Sequence, residues 1–231
     1  MIQREKIGAV LVVGAGVGGA RAAIDLADAG MKVHLVERSA SVGGVVAQLD
    51  FMFPTHDCVL CRGTSDHGYG CTRPTITPEL LDFGQHPSID LMTLSEVVSV
   101  SGQPGNFAVT VRHKPRYVDA RRCINCNKCA EVCPVELPDP FHLGMSQRKA
   151  AGKFAVRAVP NVYVIERGDY CDDCRECVPV CPTDAIDLDE QPWEEELHVG
   201  AIILTVGYKV HDPSGIAEYG YGRYPNVITS L

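Results

Sequence analysis

The sequence predicts an α/β protein in which a domain built on a parallel sheet is interrupted by a smaller, cysteine-rich α+β domain. Three observations predict this organisation. A β-α-β pattern opens the chain, two matched cysteine runs occupy its middle, and an apolar run of strand length returns after them. Because strand patterns lie on both sides of the cysteines, we expect a first domain at 1–114, an inserted unit at 115–190 and a return to the first domain at 191–231.

The opening pattern consists of a strand, a glycine-rich turn, a helix and a second strand. Residues 7–13 form a continuous apolar run, which is typical of a parallel strand buried on both faces. A helix over 20–29 follows the glycines, and Gly30 can end it. Further strands are expected at 32–37, 89–100, 107–113 and 199–207, with a turn at 102–106.

The glycine-rich turn has the spacing of a dinucleotide site. Gly14, Gly16 and Gly19 follow the pattern G-x-G-x-x-G between strand and helix, where backbone amides and a helix N-terminus bind a pyrophosphate. Glu37 ends the second strand 18 residues after Gly19, placed to accept hydrogen bonds from a ribose. Further candidates for this site are Gly18, Arg38, Gly43 and Gly44. At this point FAD, NAD(P) and a vestigial fold without a ligand all remain open.

Two cysteine runs share the spacing C-x-x-C-x-x-C-x-x-x-C-P, which is typical of proteins that hold two [4Fe-4S] clusters. Three closely spaced thiolates bind one cluster, and the fourth, before the proline, reaches the neighbouring cluster. This cross-ligation predicts two ligand sets: Cys123, Cys126, Cys129 and Cys181, and Cys171, Cys174, Cys177 and Cys133. Zinc and a disulfide framework are the alternatives. Zinc needs only two C-x-x-C pairs and leaves the third cysteine and the proline unexplained.

Three of the 11 cysteines lie outside the two runs: Cys58, Cys61 and Cys71. They form a candidate third site for an iron–sulfur cluster or zinc, whose fourth ligand would come from another polypeptide of the complex or from His56, His67 or Asp57. The alternatives are a redox-active dithiol and purely structural thiols.

The composition of the chain limits the classes of protein to which it can belong. The formal charge of −8 argues against a nucleic-acid partner, and no apolar run approaches the roughly 18 residues that span a bilayer. The first residues do not resemble a signal peptide, so we read the cysteines as a sign of a reducing, anaerobic cytoplasm. Between the runs, the stretch 135–168 is expected to be a partner-docking loop or, by default, a solvated helix. Its cationic residues are Arg148, Lys149, Lys153 and Arg157.

The glutamate with a downstream diglycine resembles the FAD-binding half of the glutathione and thioredoxin reductase superfamily. The resemblance implies a Rossmann-like fold and FAD, with residues 205–207 in place of the family's Ala-Thr-Gly turn. It adds Val97, Thr205 and Gly207 to the candidate cofactor residues. That family closes its flavin site with a late glycine–aspartate motif, which nothing after Gly207 matches. We therefore expect a separate chain, or the continuation of a longer one, to complete the flavin domain.

Taken together, the motifs resemble the A subunit of heterodisulfide reductase and its relatives, including the quinone-interacting oxidoreductase A subunit of sulfate reducers. The matching segments are 14–19 with Glu37 and 43–44, then 53–61, 114–118, 158–162 and 220–227. The resemblance implies a flavin that splits or merges electron pairs between a thiol or quinone branch and a ferredoxin branch. The partners it implies are the B-like and C-like subunits of heterodisulfide reductase, a hydrogenase or formate dehydrogenase module, and ferredoxin.

The sequence therefore predicts an oxidoreductase subunit of a cytoplasmic complex that relays electrons between FAD and two ferredoxin-like [4Fe-4S] clusters. We find no catalytic side chain in it. A self-contained NAD(P)H-dependent iron–sulfur flavoprotein is one alternative, and it would need a second nucleotide fingerprint, which is missing. A structural iron–sulfur scaffold without flavin is the other.

Overall fold

The computed structural model describes residues 8–49, 51–52, 57–58, 86–155 and 158–229. The elements before the cysteine runs are β1 (Ala9–Val13), α1 (Val17–Asp28), β2 (Lys32–Val36), β3 (Phe51–Met52), β4 (Asp57–Cys58), β5 (Ile89–Met92), β6 (Ser95–Gln103) and β7 (Asn106–His113). Those that follow are α2 (Lys128–Val132), β8 (Glu136–Pro138), β9 (Gln147–Lys149), β10 (Ala151–Gly152), β11 (Val164–Ile165), β12 (Trp193–Val199) and β13 (Ala201–Leu204). No helix in these ranges is long and apolar enough to cross a bilayer.

A four-stranded parallel sheet in the order β13-β1-β2-β5 forms the centre of the first domain. In the central strand β1, Val12 pairs with Leu35 of β2 on one side and with Ile203 of β13 on the other. Val10 and Val12 face α1, and Leu11 faces the opposite side, so both faces are buried as the continuous apolar run predicts. The helix contributes Ala20, Ala23, Ile24 and Ala27 to this core. The predicted α/β fold is confirmed.

A three-stranded antiparallel sheet in the order β12-β7-β6 covers the other face of the parallel sheet. Val109 and Val111 of β7 and Leu197 and Val199 of β12 pack with Leu11 of β1 in one buried core. Strands from before and after the cysteine runs therefore share both sheets.

The structure corrects two predicted strand boundaries. The run at 199–207, predicted as one strand, belongs to two, because Val199 ends β12 and β13 covers only Ala201–Leu204. In β12 the buried Leu197 and Val199 alternate with exposed neighbours, a pattern of period two that the adjoining apolar residues conceal. The predicted strand at 89–100 divides into β5 and β6 around Leu94, whose φ is +55°.

The cysteine region folds as a small unit of short elements. β8 pairs with β9 and β10 pairs with β11, both antiparallel, and α2 is the one α-helix among the described residues of this region. The solvated helix expected over 135–168 is therefore wrong for the part of that stretch that the structure describes. The buried core of the unit consists of Val118, Cys129, Ala151, Tyr163, Ile165, Ala185 and Leu188.

Hydrogen bonds attach the cysteine unit to the first domain. Val159 donates its backbone N–H to Ser41 Oγ at 2.8 Å and accepts from the backbone N–H of Val42 at 3.0 Å. The guanidinium of Arg116 donates to Ala40 O at 3.0 Å and to Thr93 Oγ1 at 2.6 Å. Burial lowers the pKa of Arg116 to about 10. Because a buried polar group is costly without partners, these bonds fix the unit in position.

The two ends of the cysteine region leave the antiparallel sheet side by side. β7 ends at His113 and β12 begins at Trp193, and these two residues are paired in register with their rings stacked at 3.9 Å. Just beyond, the backbone N–H of Tyr117 donates to Glu190 Oε2 at 2.6 Å. This pairing supports an insertion at 115–190, whose boundaries stay a prediction.

Helix α1 approaches the turns after β1 and β13 very closely. A Cβ on Gly19 would lie 1.9 Å from Gly14 O and 2.5 Å from Thr205 Oγ1. Gly14 has a φ of +98°, and a Cβ on it would lie 2.4 Å from Thr205 O. No side chain fits at either glycine while the three segments keep this contact.

We expect Gly19→Ala to lower the free energy of unfolding by more than about 2 kcal/mol, because backbone atoms block the new methyl group. Gly18→Ala is the matched control one residue earlier in α1, where a Cβ meets nothing within 4 Å. It should stay within about 1 kcal/mol of the unsubstituted chain. Urea unfolding of the iron-loaded chains, followed by circular dichroism without oxygen, measures both. Equal midpoints for the two variants would contradict the close approach.

Candidate functional site

A cleft of about 770 Å³ opens at the carboxyl ends of β1, β2 and β13. Residues from the first domain and from the cysteine unit both line it. The predicted cofactor residues that line it are Gly14, Gly16, Gly18, Glu37, Arg38, Gly43, Gly44, Val97, Thr205 and Gly207. Gly19 lies behind this surface, in the contact between α1 and Gly14. The structure thus brings the predicted residues together, and their individual ligand contacts stay a prediction.

The glycine turn presents backbone amides to the cleft. Gly16 caps α1 without a side-chain hydrogen bond, so no cap side chain occupies the N–H groups of the first helical turn. The diglycine turn lies directly against it: Gly43 N donates to Ala15 O at 2.8 Å, and a Cβ on Gly44 would lie 3.2 Å from Gly16 Cα. Amide donors and the positive end of a helix dipole fit a diphosphate.

Glu37 is buried, with 6% of its surface exposed, and its carboxylate joins two loops of the cleft. One oxygen accepts from the backbone N–H of Ala15 at 2.8 Å. The other accepts from the backbone N–H of Ser39 at 2.8 Å and from the Ser39 hydroxyl. A carboxylate offers about four acceptor positions, so one is left for the ribose hydroxyl that the sequence predicts as its partner.

Sequence reasoning missed a group of residues that the cysteine unit contributes to the cleft. Phe141 and Phe154 line it, and Gln48 of the first domain donates from Nε2 to Phe141 O at 2.9 Å. Gln48 and Phe141 are 93 positions apart in the sequence. No local motif marks either phenylalanine, so only the packing of the two units reveals them.

The eight cysteines of the two runs gather around two separate pockets. The first pocket is lined by Cys123, Cys126, Cys129 and Cys181, and the second by Cys133, Cys171, Cys174 and Cys177. This is the grouping that cross-ligation predicts, and all eight thiols are free of disulfides. Across the described ranges, no three His, Cys, Asp or Glu side chains converge on one point as a single ion would require. A cubane binds each thiolate to a different iron, which fits thiols spread around a pocket.

Crowding of the thiols shapes the electrostatics of both pockets. Burial, and then repulsion by neighbouring thiolates, raises the pKa of Cys129 to about 12 and that of Cys177 to about 11. At Cys181, burial acts to raise the pKa of the thiol. Hydrogen bonds to the sulfur from Thr183 and from the backbone N–H of Ala185, whose nitrogen is 3.2 Å away, outweigh burial and lower the pKa. Buried thiols that repel one another as thiolates are stabilised by cationic iron, so this donor set fits a cluster.

The candidate third site falls almost entirely outside the described residues. Cys58 belongs to β4, where its backbone pairs with Phe51 of β3. Cys61 and Cys71 lie outside the described residues, as do His56 and His67. The third cluster therefore stays a prediction.

Two family models match parts of the chain. "FAD dependent oxidoreductase" matches residues 9–56, which include the glycine turn and Glu37. "4Fe-4S dicluster domain" matches residues 122–186, which include both cysteine runs. The predicted cofactors, FAD and two [4Fe-4S] clusters, are thereby confirmed.

Curated relatives match the chain over 96% of its length. It is 43% identical to the A subunit of H(2):CoB-CoM heterodisulfide,ferredoxin reductase from Methanothermobacter marburgensis, covering 31% of that protein. It is 47% identical to an iron-sulfur A subunit of CoB--CoM heterodisulfide reductase from Methanopyrus kandleri, covering 32%. It is 39% identical to the A subunit of Ferredoxin:CoB-CoM heterodisulfide reductase from Methanosarcina mazei, covering 26%. The chain thus spans no more than 32% of the length of these relatives.

Cross-ligation makes a prediction about pairs of substitutions. Cys126 and Cys181 line the same pocket, so the double variant Cys126→Ala with Cys181→Ala should keep the other cluster and about four iron atoms. Cys126 and Cys133 line different pockets, so Cys126→Ala with Cys133→Ala should damage both clusters.

Iron analysis and electron paramagnetic resonance of the reduced, anaerobically purified variants measure the difference. Each double variant is the control for the other, since both remove two thiols and one of them is shared. The opposite ranking of iron contents would mean that each run holds its own cluster.

Proposed function

We propose that this chain, which belongs to the family of heterodisulfide reductase A subunits, forms the iron–sulfur flavoprotein part of a multisubunit oxidoreductase and relays electrons between FAD and two [4Fe-4S] clusters. One observation carries the proposal. Cys133, Ala150 and Ala151 line the second thiol pocket, and Phe141 and Phe154 of the same stretch line the nucleotide cleft. A single short piece of backbone therefore serves both kinds of cofactor.

The chain's own residues bind the cofactors and shield them from water. When bound, FAD exchanges electrons in pairs or singly and each cluster exchanges one, which makes the flavin the junction between the two kinds of transfer. The backbone amides at the start of α1, from Gly16 onward, would bind the pyrophosphate, and Glu37 would accept from the ribose. In the cysteine unit the buried Val118 and Leu188 exclude water from the side of the pockets that faces the core.

We propose further that another polypeptide segment completes the flavin domain. Among the described residues β13 is an edge of the parallel sheet, and Leu204 and Val206 at its end are 70% and 71% exposed. Unpaired strand edges and exposed apolar side chains are surfaces that proteins usually cover. The covering segment would come from a separate chain or from the same polypeptide.

The remaining partners are proposed from the relatives. Their names refer to CoB-CoM heterodisulfide and ferredoxin, and we propose the same two reactants for the complex that contains this chain. The B-like and C-like subunits of heterodisulfide reductase and a hydrogenase or formate dehydrogenase module would supply the other redox steps. Flavin-based bifurcation is part of the proposal, supported by the pairing of one flavin site with two cluster sites. A cytoplasmic location is proposed from the many cysteines, which suit a reducing compartment.

Native mass spectrometry of the anaerobically purified chain tests the cofactor content. We expect the mass of the chain plus two [4Fe-4S] clusters, and one FAD more after FAD is added. Clusters without any FAD, both for the isolated chain and in its source complex, would contradict the flavoprotein role.

Reduction of bound FAD by dithionite tests the relay itself. The flavin absorbance should bleach faster in the unsubstituted chain than in the Cys126→Ala, Cys133→Ala variant, because the clusters offer one-electron entry sites near the cleft. Equal rates would show that the clusters do not lie on the path. Bleaching of the isolated chain by NADH or NADPH would instead favour a self-contained reductase.

A further inference from the structure

We propose that Phe141 and Phe154 form a wall, the phenylalanine wall, against which the ring system of the bound flavin packs. The inference rests on the proposed function, because it assigns the ring half of the FAD whose adenosine half the glycine turn and Glu37 hold. It gives the cysteine unit a second task. Besides holding the clusters, the unit shapes the flavin pocket.

The two phenylalanines form one surface on the side of the cleft that the cysteine unit provides. Their ring centroids are 6.0 Å apart and their planes meet at 80°, which is an edge-to-face pair. Both side chains are half-buried, and both line the cleft. Each ring therefore supports the other and still offers apolar surface to a ligand.

The loop that carries Phe141 is held rigidly by Asp139, which is 8% exposed. Its carboxylate accepts from the backbone N–H of Phe141 at 2.9 Å and pairs with His142 Nδ1 at 2.8 Å. Its backbone N–H donates to Ser146 O and its carbonyl accepts from Gly144 N, both at 2.8 Å. These bonds hold the backbone of the loop at Phe141, which helps to preorganise the surface that its side chain forms.

The wall and Val97 approach the cleft from opposite faces of the parallel sheet. Phe141 packs against the core on the α1 face of the parallel sheet, and Val97 packs against the core on the other face. Val97 belongs to β6, whose first residue Ser95 donates its backbone N–H to Glu37 O at 2.9 Å. Glu37, which bonds to Ala15 of the glycine turn, thus lies with the Val97 side of the cleft, and Phe141 lines the cleft from the α1 side.

The chemistry of the two ends differs in the way that the two halves of FAD differ. Glu37 and Ser39 give the first end hydrogen-bonding groups for a ribose. At the wall end Val46, Phe141 and Phe154 line the cleft with apolar side chains, and Gln48 is the polar residue beside them, with its Nε2 donating to Phe141 O. A planar tricyclic ring gains from contact with phenylalanine rings, by about threefold to tenfold in affinity for one aromatic contact.

Phe141→Leu and Phe154→Leu test the wall, because leucine keeps an apolar side chain and removes the aromatic ring. We expect each variant to raise the Kd for FAD by about threefold to tenfold. The Kd for ADP, which lacks the ring half, should be unchanged. Titration of the iron-loaded 231-residue chain, followed by flavin fluorescence for FAD and by calorimetry for ADP, gives both constants.

Phe107→Leu is the matched control. Phe107 is also half-buried, but it lies on β7, packs against the core between the two sheets and does not line the cleft. It should leave both constants unchanged. If the Kd for FAD were the same in the unsubstituted chain, Phe141→Leu and Phe154→Leu, the wall would be overturned while the proposed function would stand. A rise in the Kd for ADP as large as that for FAD would overturn the wall as well. Failure to bind either ligand, both by the unsubstituted chain alone and within its source complex, would overturn the proposed flavin site and the wall with it.

Discussion

The contact of Gly14, Gly19 and Thr205 is the constraint on which the rest of this structure depends. It brings the turns after β1 and β13 and the first turn of α1 so close that no side chain fits at either glycine. The hydroxyl of Thr205 lies 2.7 Å from Gly14 O, across 191 positions of sequence. The turn that follows β1 is therefore packed against residues that lie on the other side of the cysteine region in the sequence, and β13 must return beside β1 for this contact to form.

The nucleotide cleft and the two thiol pockets differ in their electrostatics. The cleft offers neutral backbone donors and one buried carboxylate, whose charge three hydrogen bonds already compensate. The thiol pockets instead collect groups whose ionisation is opposed by burial and by one another. The unit's apolar core consists of few residues, so we expect iron binding to contribute to the stability of its fold.

The sequence predicted those sites whose residues follow a fixed spacing along the chain. The cysteine runs indicated which thiols share a pocket, and the glycines with Glu37 indicated the position and character of the cleft. Strand limits near residue 200 were missed because β12 and β13, with different partners, adjoin in one apolar stretch. Phe141 and Phe154 were missed because their role follows from the packing of two units, which no local pattern records.

The register between His113 and Trp193 has a consequence for how such a protein arises. These two residues stand opposite each other where β7 ends and β12 begins, so a short turn could join them and leave every strand pair of that sheet intact. In evolutionary terms the cysteine unit occupies the tip of a hairpin. An ancestral sheet could acquire a pair of redox centres there in one insertion, without a change to its own topology. Loops at strand ends tolerate such additions because few buried contacts cross them.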